Sequence, residues 1–269
     1  MVGSVPMTWL LRIILLVMTT APANATEIIG HRGGAHDAPE NTLPAFKRAL
    51  EQGGDAIELD IHLTKDGRLV VIHDPTTQRT TGANYKVAET PLGALQQLDA
   101  GAWKDAKWRG TRIPALAEVL ALLPAGKRVF IELKCGAGAL DELARVMDAS
   151  GRPPEQMVLI GFDFALMAEA KRRHPDHKVC WIVEPKGFLA STPGVEDLVK
   201  HGVAGKFDGL FLSRKFPLDA AFVAKLKAAG LPTYVWTVND PALAKRLMAA
   251  GVAGLCTDRP AWLRAQAEK

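Results

Sequence analysis

At 269 residues the chain is long for one domain but ordinary for a (β/α)8 barrel, which takes about 250. Its 48% hydrophobic and 23% charged content is that of a globular protein with a large core, not of a fibrous or disordered chain. A formal charge of +4 is mild, and no run of Lys or Arg suggests nucleic acid as a partner.

The first 25 residues read as a signal peptide. Trp9 to Met18 is apolar apart from Arg12, and Ala23-Asn24-Ala25 puts small residues where signal peptidase accepts them. Cleavage after Ala25 would leave residues 26–269 as one domain, periplasmic or secreted. No Cys lies near the cleavage site, so no stable membrane anchor is expected there. Cys135, Cys180 and Cys256 are odd in number and form no CxxC, and each reads as a strand or strand-end thiol without a disulfide.

Beyond the leader, short β-branched runs alternate with helical patterns. Strands are predicted at Ile28-Ile29 and over 56–60, 129–133, 158–160, 179–183, 209–212, 233–237 and 254–257. Helices are predicted at 42–52, 114–123, 138–149, 163–173, 194–201, 217–229, 240–250 and 260–267. Pro44, Pro193, Pro217, Pro241 and Pro260 fall in first turns, where a missing N–H costs little, and Gly53, Gly202, Gly230 and Gly251 follow helix ends. Eight alternations point to a parallel TIM barrel.

One segment departs from the alternation. Residues 56–74 read as a β-hairpin turning at Asp66-Gly67, and a two-residue loop there would place His73 directly opposite Asp60. Residues 75–112 then form a small insertion after the second strand, a lid or side cap.

In such a barrel chemistry belongs at the C-terminal ends of the strands. In the second strand Ile57, Leu59 and Ile61 alternate with Glu58, Asp60 and His62, so the polar set faces the mouth. Glu132 and Lys134 repeat the pattern one strand on. Three converging carboxylates need neutralising, either by a divalent cation or by a network with Lys134 and Arg32. Glu58, Asp60 and Glu132 are hard oxygen donors, suited to Ca²⁺ or Mg²⁺. His31 and His73 are the candidate acid and base, and Arg32 and Lys134 the candidate phosphate contacts. Trp236 is expected to line the mouth. Asn41 is a plausible N-cap of the first helix, and Glu40 stands either at the site or in support of it. His62, His174, His177 and His201 read as solvated or structural, and nothing fixes the direction of His36.

Taken together, His31-Arg32-Gly33, Pro39-Glu40-Asn41-Thr42, Glu58-Leu59-Asp60, Thr64-Lys65-Asp66-Gly67, Val71-Ile72-His73-Asp74, Arg79-Thr80-Thr81-Gly82, Ile131-Glu132-Leu133-Lys134, Trp236-Thr237-Val238-Asn239 and Thr257-Asp258-Arg259-Pro260 resemble the glycerophosphodiester phosphodiesterases. The resemblance runs from about residue 27 to 262. It implies His31 and His73 as acid and base, Glu58, Asp60 and Glu132 around Ca²⁺ or Mg²⁺, and Arg32 and Lys134 on the phosphate. It also implies release of sn-glycerol 3-phosphate and an alcohol, by attack of the substrate's own 2-hydroxyl through a cyclic phosphate. Rival readings are a lysophospholipase D-type enzyme of the same superfamily, a glycoside hydrolase, and a binding protein without turnover.

Overall fold

The computed structural model describes residues 26–185 and 193–267. The expected signal peptide lies outside the described residues. Nine strands form one sheet: β1 Glu27–Gly30, β2 Ala56–Leu63, β3 Leu69–Val71, β4 Arg128–Leu133, β5 Met157–Gly161, β6 Lys178–Val183, β7 Gly209–Ser213, β8 Thr233–Trp236 and β9 Gly254–Thr257. All but β3 are parallel to their neighbours, and β1 pairs with both β2 and β9. The ring is therefore closed, an eight-stranded TIM barrel, with β3 hanging antiparallel on the long β2.

Eight helices pack outside: α1 Leu43–Glu51, α2 Leu116–Leu122, α3 Leu140–Ala149, α4 Phe164–Arg173, α5 Val195–Ala204, α6 Ala220–Ala228, α7 Pro241–Ala250 and α8 Pro260–Ala267. Period-two alternation sorts the strand residues as the sequence predicts. Ile57, Leu59, Ile61, Ile131 and Leu133 meet the helices, while Phe130, Ile160, Phe211, Tyr234 and Cys256 fill the lumen. Phe130, Phe211 and Tyr234 form a ring cluster with centroids 5.1–5.9 Å apart, a plug beneath the mouth. All three cysteines are free thiols. Among the described residues no helix is long and apolar enough to cross a membrane.

Local expectations fail in four places. Gly202 lies inside α5, not after it: a Cβ there would sit 2.6 Å from Leu231 Cδ1, so the glycine permits close packing. Pro217 precedes α6, whose N-cap is Asp219, and Pro193 precedes the N-cap Gly194. Asn41 is not the cap of α1, which starts after Thr42; its backbone is left-handed (φ 56°) and its side chain is spent on Asp60.

The hairpin is one residue out of the predicted register. Ile61 pairs with Val71 and Leu63 with Leu69, so Ile72, not His73, opposes Asp60. A two-residue turn would need positive φ at Asp66 as well as Gly67, but only Gly67 has it (φ 69°). Asp66 instead accepts Thr64 Oγ1–H and Leu92 N–H, which gives a three-residue loop. The hairpin packs Leu69 and Val71 toward the helices, and Val70 and Ile72 against Val87, Leu95 and Ile113 of and beside the insertion.

Candidate active site

The carboxylates come first, because the alternation of β2 and β4 forces them inward. Glu58, Asp60 and Glu132 are all buried, with ligand atoms within 4.8 Å of one another. The register of β2 and β4 puts Asp60 beside Glu132. Burial and mutual repulsion push Glu58 up to about 7 and Glu132 up to about 8. Asp60 stays below its ordinary value: burial opposes this, but Lys134 and Arg32 outweigh it.

The cations present do not complete the set. Lys134 Nζ lies 2.6 Å from Glu132 Oε1 and 3.4 Å from Asp60 Oδ1, and Arg32 Nε lies 3.5 Å from Asp60 Oδ2. Arg32 also serves Glu40 at 2.9 Å. Asp60 Oδ1 and Glu132 Oε1 are buried and share the one ammonium of Lys134. Two partly shared cations facing three carboxylates leave negative charge and oxygen lone pairs open, so the donor set fits a hard divalent cation.

Two of the carboxylates, Glu58 and Asp60, are also held from behind. Arg32 adopts φ 49°, and its backbone N–H donates to Glu58 Oε2 at 2.8 Å. Asn41 Nδ2 donates to Asp60 Oδ2 at 2.8 Å, and Asp60 N–H donates to Asn41 Oδ1. The left-handed turns at Arg32 and Asn41 aim these donors at the triad.

His31 follows β1 and His73 follows β3, and both line a cavity of about 100 Å³ with Arg32, Glu58, Glu132 and Lys134. Each imidazole is anchored through Nδ1: His31 to Asp258 Oδ1 at 2.6 Å, His73 to Asp74 Oδ1 at 2.7 Å. That leaves each Nε2 for the cavity. Burial lowers His31, but the Asp258 hydrogen bond and Glu58 overcome it, and the net shift is upward. Burial dominates at His73, and its shift is downward despite Asp60 and Asp74.

Supporting residues form two chains that the spacing of the sequence did not reveal. Asn239 Nδ2 donates to Asp258 Oδ2 at 2.6 Å, and Asn239 Oδ1 accepts from Asp258 N–H and Thr257 Oγ1–H. On the other side Arg79 joins Asp74 Oδ2 to both oxygens of Glu40, which reaches Arg32. Their motifs carried the family resemblance, but roles could not be assigned without the fold. Glu40 thus supports Arg32 and Arg79.

Trp236 lines the cavity as expected, edge-on to Phe162 at 5.6 Å. His62 lies beside the site, its Nε2 within 3.0 Å of the His73 carbonyl. His36 pairs with Asp37 at the exposed edge, and His201 donates to Asp197 O on α5. His174 and His177 pack on each other past the end of α4.

Fold and site define a TIM barrel whose mouth sets a buried acidic cluster between two anchored imidazoles. The chain belongs to the glycerophosphoryl diester phosphodiesterase family, whose model matches residues 31–149 and 158–262. It is similar to a glycerophosphodiester phosphodiesterase of Caldanaerobacter subterraneus, 34% identical over 247 residues, covering 87% of this chain and 95% of the relative. A lysophospholipase D of Mus musculus is 27% identical, covering 88% and 84%. Among solved structures, an Oleispira antarctica phosphodiesterase in complex with the product sn-glycerol-3-phosphate superposes with a TM-score of 0.82 at 26% identity, covering 91% of this chain and 98% of that one.

Proposed function

We propose that this enzyme hydrolyses glycerophosphodiesters to sn-glycerol 3-phosphate and an alcohol, using Ca²⁺ or Mg²⁺ and the pair His31 and His73. The observation that carries the reading is two imidazoles, each tied through Nδ1 to its own carboxylate, lining one cavity with a buried carboxylate triad. Glu58, Asp60 and Glu132 would hold the cation. When bound, it neutralises the triad and draws charge from the phosphoryl oxygens.

The chain's own residues supply the rest. Arg32 and Lys134 stand at the cavity to neutralise and orient the phosphate. His73, lowered and therefore neutral near pH 7, takes the proton of the attacking hydroxyl. His31, raised and therefore the more readily protonated of the two, gives a proton to the leaving alcohol oxygen. With the substrate's 2-hydroxyl as nucleophile, the first step forms a cyclic phosphate as the P–O bond to the alcohol breaks. In the second step the roles reverse: His31 takes a proton from water, and His73 returns one to the 2-oxygen. Two imidazoles with Arg32 and Lys134 suit an anionic diester better than the oxocarbenium chemistry of a sugar hydrolase.

One observation favours lysophospholipids as further substrates. A groove of about 600 Å³ adjoins the site through Lys134 and Phe162 and is lined by Leu133, Ala137, Ala165 and Leu166 together with Asp163 and Glu169, room for an acyl chain. The test is release of glycerol 3-phosphate from several glycerophosphodiesters, and of lysophosphatidic acid from a lysophospholipid, after chelation and readdition of each cation. Product only with restored Ca²⁺ or Mg²⁺ is expected. Undiminished turnover in chelator, or none with either cation, overturns the reading.

A further inference from the structure

The insertion carries a surface that hydrolysis does not use. Its loop 99–112 is built around one carboxylate: Asp99 accepts the N–H groups of Gly101, Ala102 and Gly110 at 2.8, 3.0 and 2.9 Å. Ala100 N–H donates to Thr111 O at 2.7 Å and closes the loop. The turn is so tight that a Cβ on Gly101 would lie 1.9 Å from Trp108 O.

On this frame stand interleaved aromatic and basic side chains. Trp103 is 41% exposed, yet its indole N–H is bonded to Ala100 O at 2.8 Å, so the ring is held in place. Lys104 Nζ lies 5.9 Å from that ring, and Lys107 Nζ lies 5.6 Å from the ring of Trp108. Arg109 and Arg112 are exposed on the same loop, so four cations face the two carboxylates of Asp99 and Asp105.

The loop belongs to the mouth end of the barrel. Lys104 Nζ donates to Ala35 O at 2.7 Å, in the loop that begins with His31. Tyr85, 50% exposed, accepts through its carbonyl from Thr77 N–H, between His73 and Arg79. Phe162, 38% exposed, lines the active-site cavity. Of the four large apolar side chains most exposed among the described residues, three (Tyr85, Trp103 and Phe162) therefore lie at the active-site end. The fourth, Val203, is on α5.

A fixed Trp flanked by cations matches the chemistry of a lipid head-group layer, where indole rings settle at the interface and Lys and Arg meet anionic phosphates. A ring already held loses little freedom on docking. A protein partner would favour a continuous apolar face, whereas cations separate these rings. We propose that the mouth face docks peripherally and reversibly on an anionic lipid bilayer. This reading does not depend on the hydrolytic mechanism.

The test is flotation of the full chain with vesicles of phosphatidylcholine alone and of phosphatidylcholine mixed with phosphatidylglycerol. Binding to the mixed vesicles, weakened by salt, is expected. Trp103→Ala and the double variant Lys107→Glu, Arg109→Glu should each weaken it about tenfold, with hydrolysis of a soluble glycerophosphodiester unchanged. No binding to the mixed vesicles overturns the proposal. So does equal binding by wild type and variants, the result that the apolar stretch Trp9 to Met18 would give by itself. A wild-type oligomer that Trp103→Ala converts to monomer would assign the face to a second copy and also overturn it.

Discussion

Glu132→Gln turns the electrostatics of the triad into a stability measurement. Glu132 holds its proton up to about 8 in the folded chain, against an ordinary value of 4.5, because burial and Asp60 disfavour its charge. The unfolded chain releases that proton near the ordinary value. Without a cation, the wild type therefore loses stability as pH rises from 4.5 toward 8, since only the folded state must be stripped of a tightly held proton. At about 1.4 kcal/mol per pKa unit, the charge costs at most about 4–5 kcal/mol at pH 8. Gln keeps the shape without the charge, and Lys134 keeps Asp60 as a partner. In chelator, Glu132→Gln should melt close to wild type at pH 4.5 and about 10 °C higher at pH 8, at about 2–4 °C per kcal/mol for a domain of this size. Added Ca²⁺ or Mg²⁺ should raise the wild-type melting temperature, more at pH 8 than at pH 4.5, and leave the variant nearly unmoved. Thermal melts at the two pH values, with and without cation, measure all of this. A variant that gains nothing over wild type at pH 8, or responds to the cations as wild type does, would refute the account of the triad.

Four further outcomes test the acid–base pair and the residues that support it. His31→Ala and His73→Ala should each lose about 10²–10⁴-fold in kcat while keeping cation binding by calorimetry, and the double variant should lose far less than the product. A nitrophenyl leaving group should rescue His31→Ala and not His73→Ala; the reverse pattern would exchange the roles. Asp258→Asn removes the charge that helps raise His31, so in a pH–rate profile the limb that needs a protonated acid should move to lower pH. Arg79→Ala frees Asp74 and Glu40 together, and kcat should fall about tenfold with the fold intact by circular dichroism, because Arg79 is exposed.

The barrel was legible because period-two strands and capped helices repeat eight times, and a local error in one unit does not alter the count. The triad was legible for a related reason: once Ile57, Leu59 and Ile61 must face the helices, Glu58 and Asp60 have only the mouth. The hairpin register was not, because Asp-Gly is compatible with two loop lengths and the choice rests on what Asp66 bonds, including Leu92 N–H 26 residues away. His73 reaches the cavity by leaving the strand after Val71 rather than by pairing with Asp60. Asp258, Asn239 and Arg79 were present in the motifs without roles, because alternation assigns a face but does not say which side chains meet on it.

The hydrogen bond between His31 and Asp258 joins residues 227 positions apart. Each follows a strand of the pair β1–β9, where Ile29 lies beside Cys256 and Gly30 beside Thr257. The His31 imidazole thus straddles the seam at which the barrel shuts. A nascent chain that has emerged as far as Glu132 already contains every triad carboxylate and both histidines, but nothing to orient His31. A chain cut short before β9 is in the same position, whatever else of it folds. In the proposed mechanism turnover would therefore wait for the last strand, until synthesis has delivered both edges of the seam.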